Sequence, residues 1–436
     1  MLKLLCPTLL ISSFLVLNAQ AETKLNIVTD RADAVYATGE TVTFQISLLQ
    51  DGKPSGDESV DWTITKDGVP PIHNGTVKLK DGRATAIGTL NEPGFLQCKA
   101  VTQVDGKRLE ATAGAAIDPE GIQPSMACPD DFDEFWNDQL ARLDKVPLKV
   151  KLTPVPAPPD RPGIECFDIE IDCIGKPVRG YYSRPIGAKP GECPARLCVD
   201  GAGVRSTDLL ASARWAQRGV ISLAINAHGI PNGQPSSYYA DLNGGELKNY
   251  RIDGRESRET YYFLNMFLRV QRALDFLCEQ PEWDGDILMI EGGSQGGAQS
   301  MMGAAFDPRV SFYTAMVTAM CDHTGMVAGR VAGWPKVVPI LNGQPDTQVL
   351  ETSRYFDMVN FAPRIQAEGY FWVGFIDTTC PPTGVYAAYN QLTAPKTMVH
   401  ATTSSHSLDG SKLWPAVAKA QQDHINQMQA KRALNK

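Results

Sequence analysis

Ile287-Leu288-Met289-Ile290-Glu291-Gly292-Gly293-Ser294-Gln295-Gly296-Gly297 is the stretch that decides the fold class. Its four apolar residues read as a buried strand, and a helix-compatible run, Gln295–Phe306, follows the glycines at once. Between them lies G-x-S-x-G in the context it requires. A strand that turns sharply into a helix leaves the serine hydroxyl standing at the sheet edge, and Gly292 and Gly296 permit the strained turn and close backbone packing. The bland alternative is a glycine-rich turn that only packs tightly. The elbow reading predicts an α/β-hydrolase with Ser294 as nucleophile.

Working outward, a serine hydroxyl needs a histidine base, and the histidine needs a carboxylate to hold its tautomer. In this fold the partners follow in the order serine, acid, histidine. Downstream histidines are His323, His400, His406 and His424. His406 lies in a polar loop with Thr402-Thr403-Ser404-Ser405, past the last strand-like run, which is the placement a base requires. His323 would break the chain order and is the runner-up. His400 reads as structural, and His424 as a solvated residue of a C-terminal amphipathic helix. For the acid, Asp377 directly follows the strand-like run 371–376, with Pro381-Pro382 opening the next helix; an N-cap or turn role is its plain alternative. Asp409 ranks second. The oxyanion donors are expected to be the backbone N–H groups of Gln295, after the nucleophile, and Ala202, in the small-residue loop Val199-Asp200-Gly201-Ala202-Gly203.

The rest of the C-terminal part alternates strand-like runs (196–199, 220–225, 287–290, 313–317, 372–376, 397–399) with helical ones (209–218, 257–279, 295–306, 382–392, 413–434). Such alternation predicts a mostly parallel sheet covered by helices on both faces, over residues 118–436. A Pro- and Gly-rich linker, 119–129, leads into it, with Asp130-Asp131 as a cap for a helix beginning near Phe132. Before the linker, residues 22–117 show period-two alternation, as in Val42, Phe44, Ile46, Leu48. Asp-Gly pairs at 51–52, 67–68, 81–82 and 105–106 separate the runs. Asp-Gly between alternating segments is a hairpin signal, and the spacing predicts an immunoglobulin-like β-sandwich. Its Tyr36 and Trp62 could stack on sugars, although Trp62 sits on an alternating apolar face and reads more simply as core.

Residues 1–21 combine Lys3, an apolar run and Ala19-Gln20-Ala21, and read as a signal peptide, so the expected destination is the periplasm or the medium. Prolines and hydroxyls interrupt the run too early for a membrane anchor. With 41 basic and 49 acidic residues and no basic cluster, the chain carries no footprint for nucleic acid or anionic lipid. Beyond the leader there are nine cysteines without C-x-x-C spacing, which argues against structural zinc and for mainly buried free thiols with one or two disulfides at most.

Three stretches carry a family resemblance: Tyr261-Tyr262-Phe263 through Arg272-Ala273-Leu274, Gly292-Gly293-Ser294-Gln295-Gly296-Gly297, and Asp377-Thr378-Thr379-Cys380-Pro381-Pro382 with Ala387-Ala388-Tyr389-Asn390. Together they resemble the acetyl xylan esterase and cephalosporin C deacetylase family, also called carbohydrate esterase family seven, from about residue 129 to the C-terminus. The resemblance implies a serine hydrolase that deacetylates sugars without metal or organic cofactor, with Ser294, Asp377 and His406 on the triad positions. It also implies that a homo-oligomer is open to the chain, since the family forms rings. Ala202 stands where the family has the tyrosine whose backbone donates to the oxyanion. Two departures stand out: His228-Gly229-Ile230 replaces Arg-Gly-Gln, and His406-Ser407 replaces His-Glu. If the missing cation and anion form a pair in the family, a lone glutamate restored at 407 should destabilise the chain.

The leading reading is acetyl-ester hydrolysis on acetylated sugars or a polysaccharide such as xylan. The competing readings are an α/β-hydrolase acting on another ester or on a peptide, and a carbohydrate-binding protein with an inactive hydrolase domain.

Overall fold

The computed structural model describes residues 22–68 and 70–434; the expected signal segment lies outside them. The N-terminal all-β region holds two sheets. One contains Thr23–Thr29, Thr41–Gln50, Lys53–Pro54 and Arg83–Thr89, and the other runs in the order Val35–Tyr36, Lys107–Ile117, Gly94–Val104, Ser59–Lys66, Pro71–Lys78. The alternating residues meet in one core, Phe44 and Ile46 from the first sheet against Ile64, Leu96 and Cys98 from the second. All four Asp-Gly pairs take positive φ at both residues, as tight hairpin turns demand.

Residues beyond 149 build a nine-stranded mixed sheet of the α/β-hydrolase kind. Val150–Val155, Ile164–Ile171, Val178–Pro185 and Ile221–Ile225 pair antiparallel in that order. Cys193–Val199, Trp283–Gly293, Phe312–Met316, Glu368–Gly374 and Lys396–Ala401 then continue in parallel. The first three strands lie outside the runs expected from the pattern; Val150–Val155 is an exposed edge with little apolar alternation. Alternate residues of Trp283–Gly293 serve two helical layers. Leu288 and Ile290 join the core containing helix Tyr262–Cys278, whereas Ile287 and Met289 pack with Trp215 of Leu209–Ala216 and Ile425 of Gly410–Leu434.

Three expectations need correction. Helix Phe132–Asp144 does begin after Asp131, but that carboxylate makes no capping bond and instead accepts from Arg258 at 2.6 Å and from Tyr355. The strand before Asp377 stops at Gly374, so Asp377 sits in the turn beyond it rather than at the strand end. His424 is buried rather than solvated, between Glu368 at 3.2 Å and Ser311 at 3.0 Å. The nine cysteines of the described residues are all free thiols.

The β region is seated on the segments that carry Asp377 and His406. Gln97 donates to the Phe375 carbonyl at 3.2 Å, and the Gly114 N–H donates to the Thr402 carbonyl at 3.1 Å. Phe95 packs edge-on against Phe375 with ring centres 5.0 Å apart.

Candidate active site

Ser294 is held in the elbow at φ 55° and ψ −123°, a conformation costly for a residue with a side chain. Its surroundings over-determine it. The Ser294 N–H donates to the Met316 carbonyl at 2.8 Å, and its own carbonyl accepts from the Ala319 N–H at 3.0 Å. A Cβ on Gly292 would run into the Gly296 carbonyl, and one on Gly296 into the Val199 carbonyl, so side chains are excluded where the strand folds back into the helix.

The structure brings the three expected side chains into one hydrogen-bonded chain. His406 Nε2 lies 2.9 Å from Ser294 Oγ, and His406 Nδ1 lies 2.7 Å from Asp377 Oδ2. Asp377 is fully buried, and its other oxygen accepts from the N–H groups of Thr379 at 2.8 Å and Cys380 at 2.9 Å. Those donors hold the carboxylate in one orientation, and a fixed carboxylate fixes the imidazole tautomer that leaves Nε2 free to accept from the serine.

The remaining histidines fall elsewhere. His323 is fully buried, with neither ring nitrogen partnered among the described residues, and burial pushes its pKa down to about 3. His400 accepts or donates with the Tyr386 hydroxyl at 2.6 Å, a structural pairing. Asp409 is exposed and bonds Ser411 at 2.6 Å.

The loop after Cys193–Val199 runs past the serine: a Cβ on Gly201 would stand 3.8 Å from that of Ser294. Arg205 donates to the Ala202 carbonyl at 2.7 Å and to the Gly201 carbonyl at 3.3 Å, and His228 Nε2 lies 3.2 Å from the Gly203 carbonyl. Across a trans peptide the next N–H points away from the preceding carbonyl. Turning the carbonyls of Gly201 and Ala202 toward Arg205 therefore turns the N–H groups of Ala202 and Gly203 to the opposite side. Gln295, first residue of its helix, has an N–H outside the helical ladder. Arg205 was not singled out by the sequence, since no motif marks it.

His228 is fully buried, with Nδ1 2.8 Å from the Tyr262 hydroxyl, and burial lowers its pKa to about 4. A neutral ring thus occupies the position where the family resemblance expects arginine. Ser407 is exposed, so a glutamate there would be solvated, and the destabilisation expected from a lone charge does not follow.

Asp377, Cys380 and His406 present ligand-type atoms within 4.8 Å of one another. Both ring nitrogens of His406 are already engaged, Nδ1 with Asp377 and Nε2 with Ser294, so a cation bound through His406 would have to displace one of these hydrogen bonds. In the β region, Tyr36 is buried and donates to Asp30 at 2.6 Å, so it offers no sugar platform, while Trp62 is half-buried against Gly75.

A family model described as acetyl xylan esterase (AXE1) matches residues 120–415. The chain is 33% identical over 387 residues to the acetyl esterase Axe7A of Xylanibacter ruminicola, a match spanning 87% of this chain and 86% of the relative. Among solved structures it is similar to the acetyl xylan esterase from Paenibacillus sp. R4, with TM-score 0.61 and 27% identity over 71% of this chain and 98% of that one. The acetyl xylan esterase 1 of Thermoanaerobacterium sp. JW/SL YS485 shares the fold, with TM-score 0.58 and 22% identity over 69% of this chain and 96% of that one.

Proposed function

Because the chain belongs to the acetyl xylan esterase family, and is thus a carboxylesterase, we propose that it removes acetyl groups from acetylated sugars or a polysaccharide such as xylan through a serine acyl-enzyme. The observation that supports this most directly is the continuous hydrogen-bonded chain from Ser294 through His406 to the buried Asp377.

In this reading, Ser294 Oγ attacks the acetyl carbonyl as its proton passes to His406 Nε2, and Asp377 stabilises the imidazolium. The carbonyl oxygen becomes an oxyanion held by the N–H groups of Gln295 and Ala202, which are fixed before the substrate arrives. Collapse breaks the ester C–O bond, and the departing sugar oxygen takes the proton from His406. Water, deprotonated by His406, then attacks the acetyl-serine, and collapse releases acetate as His406 returns the proton to Ser294 Oγ. Every proton has a named carrier, so the scheme runs without metal or organic cofactor.

We also propose the wider assignments: a leader over 1–21 directing secretion, an immunoglobulin-like sandwich over 22–117 and the hydrolase domain over 118–436. No helix among the described residues is long and apolar enough to cross a membrane.

The test is acetate release from acetylated xylan and from a small acetylated sugar by wild type and Ser294→Ala. The expected result is release by wild type and a fall of about 10⁴-fold or more in kcat for the variant. Absence of release by wild type, with cleavage of other esters, would replace the substrate assignment.

A further inference from the structure

Helices Leu209–Ala216 and Gly410–Leu434, on the same layer of the sheet, leave between them a cleft of about 690 Å³. Its charge is opposite to that of the chain. The protein has a formal net charge of −8, yet the cleft is lined by Arg161, Arg196, Arg214 and Arg218 against only Asp208 and Glu291. The two carboxylates are already engaged: Glu291 pairs with the buried Arg196 at 2.7 Å, and Asp208 accepts from the Leu210 N–H at 3.0 Å as a helix cap. Among the described residues, Arg214 and Arg218 have no carboxylate within ion-pair distance, so their charge is uncompensated.

Part of this charge is also held in place. The guanidinium of Arg218 lies over the Trp215 ring at 5.0 Å and that of Arg196 over the same ring at 5.2 Å, which fixes two planar cations about one indole before any ligand binds. At the mouth, Trp414 leaves 54% of its surface in solvent, a large aromatic face with no evident structural need. Deeper in, Gln421 is fully buried, and both its amide atoms lack a partner among the described residues. An unpartnered buried amide beside a cavity is a binding group in waiting.

We infer that this cleft binds a carboxylate-bearing sugar unit, with the ring against Trp414 and the carboxylate on Arg214 and Arg218. Guanidinium forks match carboxylates, and an exposed indole face suits the apolar side of a pyranose ring. The cleft also shares its scaffold with the proposed catalytic groups. Glu291 is on the strand that ends at the Ser294 elbow, and Trp414 is on the helix that follows the His406 loop. An acidic unit held here belongs to the same decorated polymer that presents its acetyl ester to Ser294. This step rests on the polysaccharide reading above.

The test reads binding rather than turnover. Tryptophan fluorescence of the intact protein is followed on titration with glucuronic acid and with a xylo-oligosaccharide bearing a uronic acid. The neutral xylo-oligosaccharide and sodium sulfate serve as comparison arms at equal ionic strength. A saturable change specific to the uronic-acid ligands is expected, weakened about tenfold in Arg214→Gln and Arg218→Gln and lost in Trp414→Ala. Equal binding of the neutral oligosaccharide overturns the role of the carboxylate. Equal saturation by sulfate reduces the site to an inorganic-anion site and overturns the sugar assignment. No saturable change with any ligand overturns the site altogether. Acetate release from a small acetylated sugar is measured on the same preparations, so failure of the esterase reading and failure of the cleft register as different results.

Discussion

Thr383 donates its hydroxyl to the carboxyl group of Asp67 across 2.6 Å, in a contact buried between the β region and helix Pro382–Tyr389. Asp67 and Gly68 both take positive φ in a hairpin turn, and a Cβ on Gly68 would stand 2.7 Å from the Thr378 methyl group, beside Asp377. The N-terminal region is thereby a brace for the acid loop.

That pairing sets a pH dependence. Burial raises the Asp67 pKa from 3.8 to about 6, and its second oxygen has no partner among the described residues, so the neutral acid is the favoured buried form. A folded pKa above the unfolded one gives stability that is fully present below about pH 3.8 and lost as pH rises through 6. Asp67→Asn keeps an acceptor for Thr383, tolerates the left-handed turn and cannot ionise. Its stability relative to wild type, read from melting curves, should climb between pH 4 and 7 by an amount approaching about 3 kcal/mol, roughly two pKa units of linkage. Parallel melting curves across that range would show that Asp67 does not carry the effect.

The same seam is sensitive to one methyl group. A Cβ on Gly114 would stand 2.7 Å from the Phe375 carbonyl oxygen and 2.5 Å from the Phe375 Cβ, atoms fixed to the backbone that cannot swing aside. Gly114→Ala should therefore push the β region off the strand that leads to Asp377. Overpacking of this kind costs typically about 1–3 kcal/mol. Thermal melts and kcat on an acetylated sugar should fall together. A variant that melts lower yet keeps full kcat would confine the brace to stability.

Arg205 acts at a distance from the chemistry, through the Gly201 and Ala202 carbonyls it holds. Removing an oxyanion donor outright costs about 10²–10³ in kcat, and loosening a donor that stays in place should cost less, about tenfold. Arg205→Gln is expected to lower kcat while leaving KM nearly unchanged, with part of the loss recovered in Arg205→Lys. An effect confined to KM would make Arg205 a substrate contact instead. His228 supports the neighbouring carbonyl of Gly203, and its replacement by alanine should act in the same sense.

The site was legible where chemistry imposes local sequence. Ser294 needs glycines about it, and helix Gln295–Phe306 begins where the elbow requires. The Asp-Gly turns announced themselves through the backbone conformation only such residues adopt readily. What stayed hidden is long-range. Asp67 and Thr383 lie 316 positions apart, and the Asp-Gly signal that marks the turn at 67–68 says nothing of the threonine it meets. Arg205 looks like any surface arginine until the loop carbonyls are seen to face it. His424 sits among polar neighbours on a helix whose apolar stripe is weak, and its burial depends on Glu368 and Ser311 from two other segments.

His323 offers a final test, because two ideas about it diverge. It is the other histidine that could have served as base, yet it is fully buried away from the serine–histidine–aspartate chain. Its folded pKa, about 3, lies below the ordinary 6.5 because burial disfavours the cation. Below pH 6.5 the unfolded chain takes up a proton that the folded one refuses, so stability falls as pH drops from 6.5 towards 3. At pH 4.5 this amounts to about 2–3 kcal/mol, two pKa units of linkage. His228, with a folded value of about 4, adds loss of the same sign. His323→Met fills similar space with an adaptable apolar chain and cannot titrate. It should melt at or above wild type near pH 5 and narrow the gap between its own melting points at pH 5 and 7, the part due to His228 remaining. Its rate of acetyl-ester cleavage at neutral pH should be unchanged. A variant that is stable and folded but inactive would return His323 to candidacy as the base and displace His406.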